Sequence, residues 1–573
     1  MSEALGARQD YLRELIRWII ETKPSKEQVM KEKSRLSRQY HLARLPTDIE
    51  ILLHAGSDEL DLVRPYLQTK PSRTSSGVAV VATMTEPFEC PHGACIYCPG
   101  GPSSTFGDTP RSYTGKEPST MRGMRNDYDP YRIIFNRLEQ YIVMGQNADK
   151  VDQIIMGGTF CALPEEYQRE YIYYSFKAYN DFSREFFPEG KLDMEKFKRF
   201  FELPGDIYNQ ERGERIKKKV LALKKGGIRT LEEEHAENEK SHVRCIGLTI
   251  ETKPDWGLKE HGLKMLELGA TRIEIGVQTV YDDILESVNR GHNIEDTKRS
   301  IGELRDLGFK LNFHMMPGLP DVDGKRISKE KDIESLRIMF DDEDFRPDML
   351  KIYPTLVMPG TQLDKMYKDG TYRPLDTEEA ADIIAEAHRF IPEYCRVMRV
   401  QRDIPTNVTS TAEGRTNLRQ YVMKLAEERG IGLRDIRSRE IKQVVSDEEP
   451  EIVVREYGAS DGKEFFISME LPKSDKILGF VRLRFPHRSL HPVIEEDSAL
   501  IRELHVYGSA VAIGKQEEKV QHKGLGRRLM EKAERIASEN DKKKMVVISG
   551  VGVRGYYRKL GYGLEKPYMV KRL

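Results

Sequence analysis

Three cysteines crowd into nine positions of a 573-residue chain: Cys90, Cys95 and Cys98 in CPHGACIYCPGG. Thiolate sulfur is a soft ligand that suits iron–sulfur clusters and zinc. Three thiolates occupy three corners of a four-iron cluster and leave one iron open. An open iron can chelate the amino and carboxylate groups of S-adenosylmethionine. One electron then breaks the sulfonium–carbon bond and releases a 5′-deoxyadenosyl radical. The bland alternative is structural zinc with His92 as the fourth ligand. Zinc ribbons draw their ligands from two separated loops, and no second Cys or His pair is evident here. Cys161, Cys245 and Cys395 are scattered and read as buried free thiols.

A second chemical signal lies far downstream. QHKGLG (521–526) places Gln521, Gly524 and Gly526 in a Q-x-x-G-x-G loop. The loop opens a helix whose apolar face is Leu525, Leu529, Ala533 and Ile536. Its glycines allow a tight wrap, and first-turn amides would point at a pyrophosphate such as that of coenzyme A. The strand ahead of it, ELHVYG, can offer backbone groups to a pantetheine arm. Further on, GYYRKLGY resembles a pattern that recurs in acetyltransferases of the GNAT fold, a Tyr followed after four residues by an aromatic, whose phenol can act as general acid for a departing thiolate. Counting back from Gly561 and Tyr562, Tyr557 fits that place better than Tyr556.

These residues need elements to position them. Between about 76 and 395, β-branched runs alternate with amphipathic helical stretches: VAVVATM, VDQIIMG, CIGLTIE, RIEIGVQ, KLNFHMM and MLKIYP. Six such units predict an α/β fold, a partial (βα)6 barrel with a parallel sheet. In such sheets chemistry sits at the C-terminal strand ends. The cysteine loop follows the first strand, and MGGTF (Gly157, Gly158, Thr159) closes the second. Glu251, Lys253, Gln278, His314 and Lys351 fall at or near later strand ends, with a salt-bridged rim as the alternative. A charged helical insertion at about 162–243 reads as a surface elaboration. Residues 396–445 form an Arg-rich, irregular linker, and 446–573 a C-terminal unit of strands around the glycine-loop helix.

Residues 1–75 read as helical and mildly basic, with Leu12, Leu15, Ile16 and Ile19 on one face. Lys31, Lys33, Arg35 and Arg38 form a basic stretch able to displace counterions from a polyanion. A solvated helix face is the competing reading. Arg434, Arg437 and Arg439 in the linker are further candidates for RNA phosphates. The net charge is −1, so any nucleic-acid surface must be local. No apolar run approaches a membrane span, and a reducing cytoplasm suits the cysteines.

Motif by motif, the chain resembles the catalytic subunits of Elongator, in a prokaryotic, archaeal-type single-chain form. The resemblance rests on CPHGACIYCPGGP, RSYTGKEPSTMR, KVDQIIMGGTF, LTIETKPDW, KIYPTLVMPGT, VQRDIP, RELHVYGS and ISGVGVRGYYRKLGY, in that order. It implies a radical-SAM barrel fused to a GNAT acetyltransferase domain, acting on uridine 34 of the tRNA anticodon stem-loop. The implied product is 5-carboxymethyluridine, its two carbons coming from acetyl-CoA. The implied cofactors are a [4Fe-4S] cluster and S-adenosylmethionine, with an electron donor as partner. The cluster ligands would be Cys90, Cys95 and Cys98. The usual radical-SAM spacing is C-x3-C-x2-C, and here it is C-x4-C-x2-C. The loop between the first two cysteines is shorter than in eukaryotic relatives. The SAM-contacting turn falls on Gly157 and Gly158. Acetyl-CoA contacts fall on Lys150, on Glu503, Leu504, His505 and Val506, on Leu525, Gly526 and Arg527, and on Tyr557. Catalytic candidates are Tyr557, Lys253 and Glu251. Two rivals compete: a GNAT-type lysine acetyltransferase with a structural metal cluster, and a non-catalytic RNA-binding scaffold. A second copy of the chain, as a homodimer, is a further candidate partner.

Overall fold

Capping chemistry starts the N-terminal helices where their apolar stripes begin. In the computed structural model, which describes residues 2–69, 77–205, 209–227, 229–411, 417–441, 448–507 and 524–573, α1 (Ser2–Thr22) is followed by α2 (Lys26–Gln39), α3 (Asp48–His54) and α4 (Ser57–Leu67). Ser25 with Gln28 and Thr47 with Glu50 form capping boxes at α2 and α3. The stripe expected on α1 is buried: Leu12, Leu15, Ile16 and Ile19 are at most 1% exposed. These helices belong to one of two compact units, made of residues 1–81, 130–152 and 171–245. That unit corrects the reading of the insertion. Its helices Glu165–Phe186 and Met194–Phe201 bury Phe182, Phe186, Phe197 and Phe201 against one another. The insertion contributes to the core of that unit rather than forming a surface elaboration.

The second unit holds residues 82–129, 153–170 and 246–573. The first of two large sheets has seven strands in the order β1-β4-β5-β6-β7-β8-β9. They are β1 (Ala79–Met84), β4 (Lys150–Met156), β5 (Arg244–Thr252), β6 (Arg272–Gln278), β7 (Lys310–Met315), β8 (Met349–Ile352) and β9 (Arg396–Arg399), while β2 (Gly101–Ser104) and β3 (Gly107–Thr109) make a separate hairpin. All six expected strands are present. The seventh, β9, pairs parallel to β8 inside the stretch expected to be irregular linker. RVMR is too short and too charged to show a strand period, so only its neighbour reveals it. The parallel register sets Glu251 beside Glu274, Glu274 beside Asn312, and His314 beside Lys351. Because side chains alternate along a strand, these groups share one face near the C-terminal rim.

The second sheet runs β10-β11-β12-β13-β14-β16-β15, from β10 (Glu451–Ala459), β11 (Gly462–Leu471), β12 (Lys476–Phe485), β13 (Ser498–Val506), β14 (Lys544–Val547), β15 (Gly563–Glu565) and β16 (Tyr568–Arg572). Its one parallel pair, β13 with β14, brackets the helix Leu525–Glu539. That helix buries Leu525, Leu529, Ala533 and Ile536, as its sequence pattern requires. β14 pairs with β13 only over Ser498–Ile501. Beyond Ile501, β13 has no strand partner on that edge among the described residues.

Five fully buried charged side chains join the two sheets. Arg502 on β13 grips both oxygens of Asp348, the residue before β8, at 2.6 and 2.7 Å. Arg502 also reaches Glu464 on β11 at 2.9 Å. Arg484 on β12 bonds Asp306 at 2.5 Å and Glu464 at 3.1 Å. Each of these side chains is at most 1% exposed. No described helix is long and apolar enough to cross a membrane. Removing one member of a buried ion pair strands its partner's charge. Asp348→Ala is therefore expected to lower unfolding stability by ~3–5 kcal/mol, read as a drop in the urea midpoint. A change under ~1 kcal/mol would show that the network contributes little.

Candidate active site

The cysteine loop is pinned by its apolar residues. Ile96 and Tyr97 are buried with Ile284, Val288, Met316, Leu319, Val357 and Leu363. The Ile96 amide donates to the Val288 carbonyl at 3.1 Å, and the Leu363 amide donates to Ile96 at 3.0 Å. Gly93, at a positive φ of 84°, closes the turn back to the Cys90 carbonyl. The thiols share one neighbourhood: burial, with Cys98 and Cys95 adding to it, pushes the Cys90 thiol up to about 11. The Ser112 amide donates to Cys98 Sγ at 3.3 Å. Among the described residues, no three His, Cys, Asp or Glu side chains converge on a point fit for a single metal ion. Three thiols mounted on one loop are a soft donor set that fits an iron–sulfur cluster. Cys161, Cys245 and Cys395 are buried and form no disulfide, with Cys161 against Met265 at 3.5 Å.

The glycine turn after β4 is required by the chain itself. Gly157 has φ of 134°, and a Cβ there would lie 2.0 Å from Thr85 Oγ1. That hydroxyl is buried without a hydrogen-bond partner. Gly158, at φ of 105°, meets Arg111. Thr159 is buried, and Gln278 ends β6 at a positive φ of 74°, an uncommon value for a non-glycine residue.

The strand ends carry a buried polar cluster. Glu274 accepts from His314 at 2.9 Å, from Asn312 at 3.2 Å, and from Lys351. Burial opposes its ionisation, but Lys351 and His314 outweigh it and hold Glu274 well below the usual carboxylate range. Burial and Lys351 push His314 down to about 4. Glu251 accepts from the Tyr113 hydroxyl at 3.2 Å. Burial and the Glu274 carboxylate push Glu251 up to about 7. Burial and charge thus shift two neighbouring carboxylates in opposite directions, as in acid–base pairs of active sites. Lys253 is not part of this group. It is 2% exposed and contacts His92 at 3.0 Å, beside the cysteine loop. Glu274 was readable as a lone charge inside the apolar run RIEIGVQ. Tyr113, His92 as a donor, and Arg290 beside Cys95 carry no such signal, because loops have no period.

On the second sheet, Glu503 is held by Arg482 at 2.9 Å, and Leu504 is half-buried. His505 stacks on Phe480, and burial pushes it down to about 4. Val506 is exposed at the strand's free end. Gly524 is the N-cap of the following helix, where Leu525 is buried and Arg527 is exposed and paired with Glu531. Gln521 lies outside the described residues. Tyr557 is 6% exposed, whereas Tyr556 is 38% exposed and its hydroxyl would sit 2.7 Å from a Cβ on Gly526. Lys150 opens β4 as an exposed residue of the first unit.

The phosphate candidates divide. Lys31, Arg35 and Arg38 are exposed on α2, Lys31 pairing with Glu27 and Arg35 with Glu32. Lys33 is not available: its side chain is 9% exposed and bonded to Asp48 at 2.6 Å. It lies on the buried stripe with Val29 and Leu36, a face that charge counting does not resolve. Arg439 is also withdrawn, 2% exposed and bonded to Asp475 at 2.7 Å and to Glu470. Arg434 is exposed but shared between Glu393 and Asp475. Arg437 is half-buried, donating to the Met398 carbonyl at 3.2 Å.

The raised Glu251 gives a pH test with a fixed sign. Folding favours its protonated form, so its contribution is full below about 4.5 and is lost as pH rises through about 7. Relative to wild type, Glu251→Gln is expected to gain stability on the order of 2 kcal/mol between pH 5 and 8. Paired urea titrations across that range measure it, and a pH-independent difference would refute the shift.

Family models match most of the chain: ELP3 N-terminal domain over residues 8–75, Radical SAM superfamily over 88–329, Radical_SAM C-terminal domain over 347–428, and Acetyltransferase (GNAT) family over 431–562. The tRNA uridine(34) acetyltransferase of Methanocaldococcus jannaschii is 41% identical over 538 residues, 92% of this chain and 90% of that protein. Elongator complex protein 3 of Homo sapiens is 39% identical over 556 residues, 95% of this chain and 93% of that protein. The solved structure of an N-terminally truncated Elp3 from Methanocaldococcus infernus superposes with a TM-score of 0.68 at 36% identity, covering 87% of this chain and 99% of that one. The radical SAM match brings a [4Fe-4S] cluster and S-adenosylmethionine, and the GNAT match acetyl-CoA. The thiol loop, the strand-end cluster and the splayed β13 all lie within matched segments, and the chain belongs to the Elongator complex protein 3 family.

Proposed function

We propose that this chain is a tRNA-modifying acyltransferase that uses acetyl-CoA and a 5′-deoxyadenosyl radical to place a carboxymethyl group on C5 of wobble uridine 34. The observation that carries the reading is the fusion of a rim-mounted three-thiol loop to an acetyltransferase sheet, tied together through Asp348 and Arg502. Relatives named tRNA uridine(34) acetyltransferase support the substrate. Cys90, Cys95 and Cys98 would hold the cluster, with S-adenosylmethionine toward Gly157, Gly158, Thr159, Gln278 and His314. When bound, that pair supplies a carbon radical able to activate the acetyl methyl group, and an electron donor completes it. The chain's own residues bind and orient the rest. The open edge of Glu503–Val506 offers backbone groups to the pantetheine arm, and Gly524–Arg527 opens the helix toward the pyrophosphate. Glu251 can hold or accept a proton near neutral pH at the rim. Tyr557 would protonate the departing thiolate, with Tyr556 nearer the helix start. Uridine 34 is unpaired in its loop, so splaying it out is cheap.

Methyl-deuterated acetyl-CoA tests the reading. After anaerobic incubation with tRNA and S-adenosylmethionine, mass spectrometry is expected to find deuterium in 5′-deoxyadenosine and in the wobble base. Cys98→Ser is expected to abolish both signals. Label reaching neither product in the wild-type enzyme overturns the proposal.

The exposed face of α2 would contact tRNA phosphates through Lys31, Arg35 and Arg38. Reversing all three charges is expected to make the slope of log affinity against log salt shallower by roughly 2–3. Lys33→Met should leave the slope alone and act on stability instead. An unchanged slope in the triple variant would remove this patch from the interface.

A further inference from the structure

Cys95 is singled out among the three thiols by side-chain donors. His92 Nε2 lies 3.4 Å from Cys95 Sγ, and Arg290 Nη1 lies 3.7 Å from it. Behind His92, Lys253 Nζ lies 3.0 Å from Nδ1. Asp255 holds Lys253 from the other side at 3.3 Å. Arg290 is anchored by a 2.8 Å bond from Nη2 to the Gly276 carbonyl. Lys253 and Arg290 are 2% and 8% exposed.

The order of donors fixes the protons. An ammonium group has only hydrogens to give, so Nδ1 of His92 must accept. The neutral ring then carries its proton on Nε2, the atom that faces sulfur. Lys253 thus selects the tautomer that turns His92 into an N–H donor to Cys95. Both ring nitrogens are occupied, so His92 is not free to serve as a metal ligand. Cys98 receives its bond from the Ser112 backbone amide, which no side-chain change removes.

We propose that Lys253, through His92, and Arg290 are positioning residues that raise the reduction potential of the bound cluster by directing N–H donors onto Cys95. The proposal rests on the reading of Cys90, Cys95 and Cys98 as cluster ligands. Hydrogen bonds and positive charge at a ligand sulfur stabilise the more negative, reduced cluster more than the oxidised one. This sets how readily an outside donor can deliver the single electron.

The test measures iron, sulfide and midpoint potential on the reconstituted full chain, the potential by titration followed by electron paramagnetic resonance. Lys253→Met and His92→Phe are expected to retain about four irons and to shift the potential downward. At the wild-type midpoint the reduced-to-oxidised ratio should fall about tenfold, about 59 mV for a one-electron couple. His92→Gln keeps an amide N–H that can reach Sγ without any tautomer choice. It should stay near the wild-type potential, and adding Lys253→Met to it should shift the potential less than Lys253→Met does alone. Loaded Lys253→Met and His92→Phe chains with the wild-type potential overturn the proposal. So does loss of iron in both His92 variants, which would make His92 a ligand. If His92→Phe alone fails to load, a wild-type potential in His92→Gln supports the relay, and one as low as that of Lys253→Met refutes it. A wild-type chain that takes up no four-iron cluster fails the underlying reading instead, so the two failures are distinguishable.

Discussion

The grip of Arg502 on Asp348 is the interaction on which the rest of the second unit depends. Its two bonds hold a β13 side chain on the residue that leads into β8. Asp348 also accepts from the Leu311 amide at 2.9 Å, so the same carboxylate sets where β7 begins. Arg502 returns to the Phe309 carbonyl at 2.8 Å. One buried pair therefore specifies two parallel strands and one strand of the other sheet. Buried charges lose hydration, and only near-complete pairing offsets that loss. The arrangement meets this demand by sharing: Glu464 bonds both Arg502 and Arg484, and Arg484 continues to Asp306. A hydrophobic seam could slide by a fraction of a side chain, whereas bidentate forks fix direction and distance.

That fixed direction matters because Arg502 sits where β13 leaves its partner. Pairing to β14 ends at Ile501. The next residues must project as a free edge, and a free edge is useful only if its course is set from behind. Arg502 is clamped below, and Glu503 is clamped by Arg482, whose guanidinium also donates to the Asp348 and Tyr394 carbonyls at 3.2 and 2.8 Å. The open strand is thus preorganised by Asp348, ahead of β8, and by Arg482 on β12. The open strand and the rim belong to one compact unit, which the proposed reaction between their two chemistries requires.

How much of this was legible in the sequence follows the period of each element. The six strands of the parallel sheet were readable because buried parallel strands are continuous apolar runs of the right length. The seventh, RVMR, was not, since its charge and brevity hide it until β8 supplies the pairing. The cysteine loop was legible by residue type and its position by the strand before it. Its donors were not, because Lys253, His92 and Arg290 are brought together from three loops that share no spacing. The two failed phosphate candidates make the same point. Lys33 and Arg439 have the right charge, but Asp48, Glu470 and Asp475 had already claimed them. A sequence shows the charge of a side chain, and only the fold shows its partner.

The rim resolves a conflict that any radical site in a protein must face. A cluster and a sulfonium cofactor need polar, oriented partners, yet a reactive carbon radical needs a dry enclosure. The chain separates these demands by face. On one side of the cysteine loop, Ile96 and Tyr97 are driven into an apolar cluster with Ile284, Val288 and Leu363. At the strand ends these polar groups have partners: Glu274 has Lys351 and His314, Glu251 has Tyr113, and Lys253 has Asp255 and His92. Apart from Lys253 with Asp255, which share one loop, these pairs bond groups from different strands or loops, so loosening one strand would unbalance several charges at once. The polarity of the site is therefore a constraint on the sheet as much as a product of it.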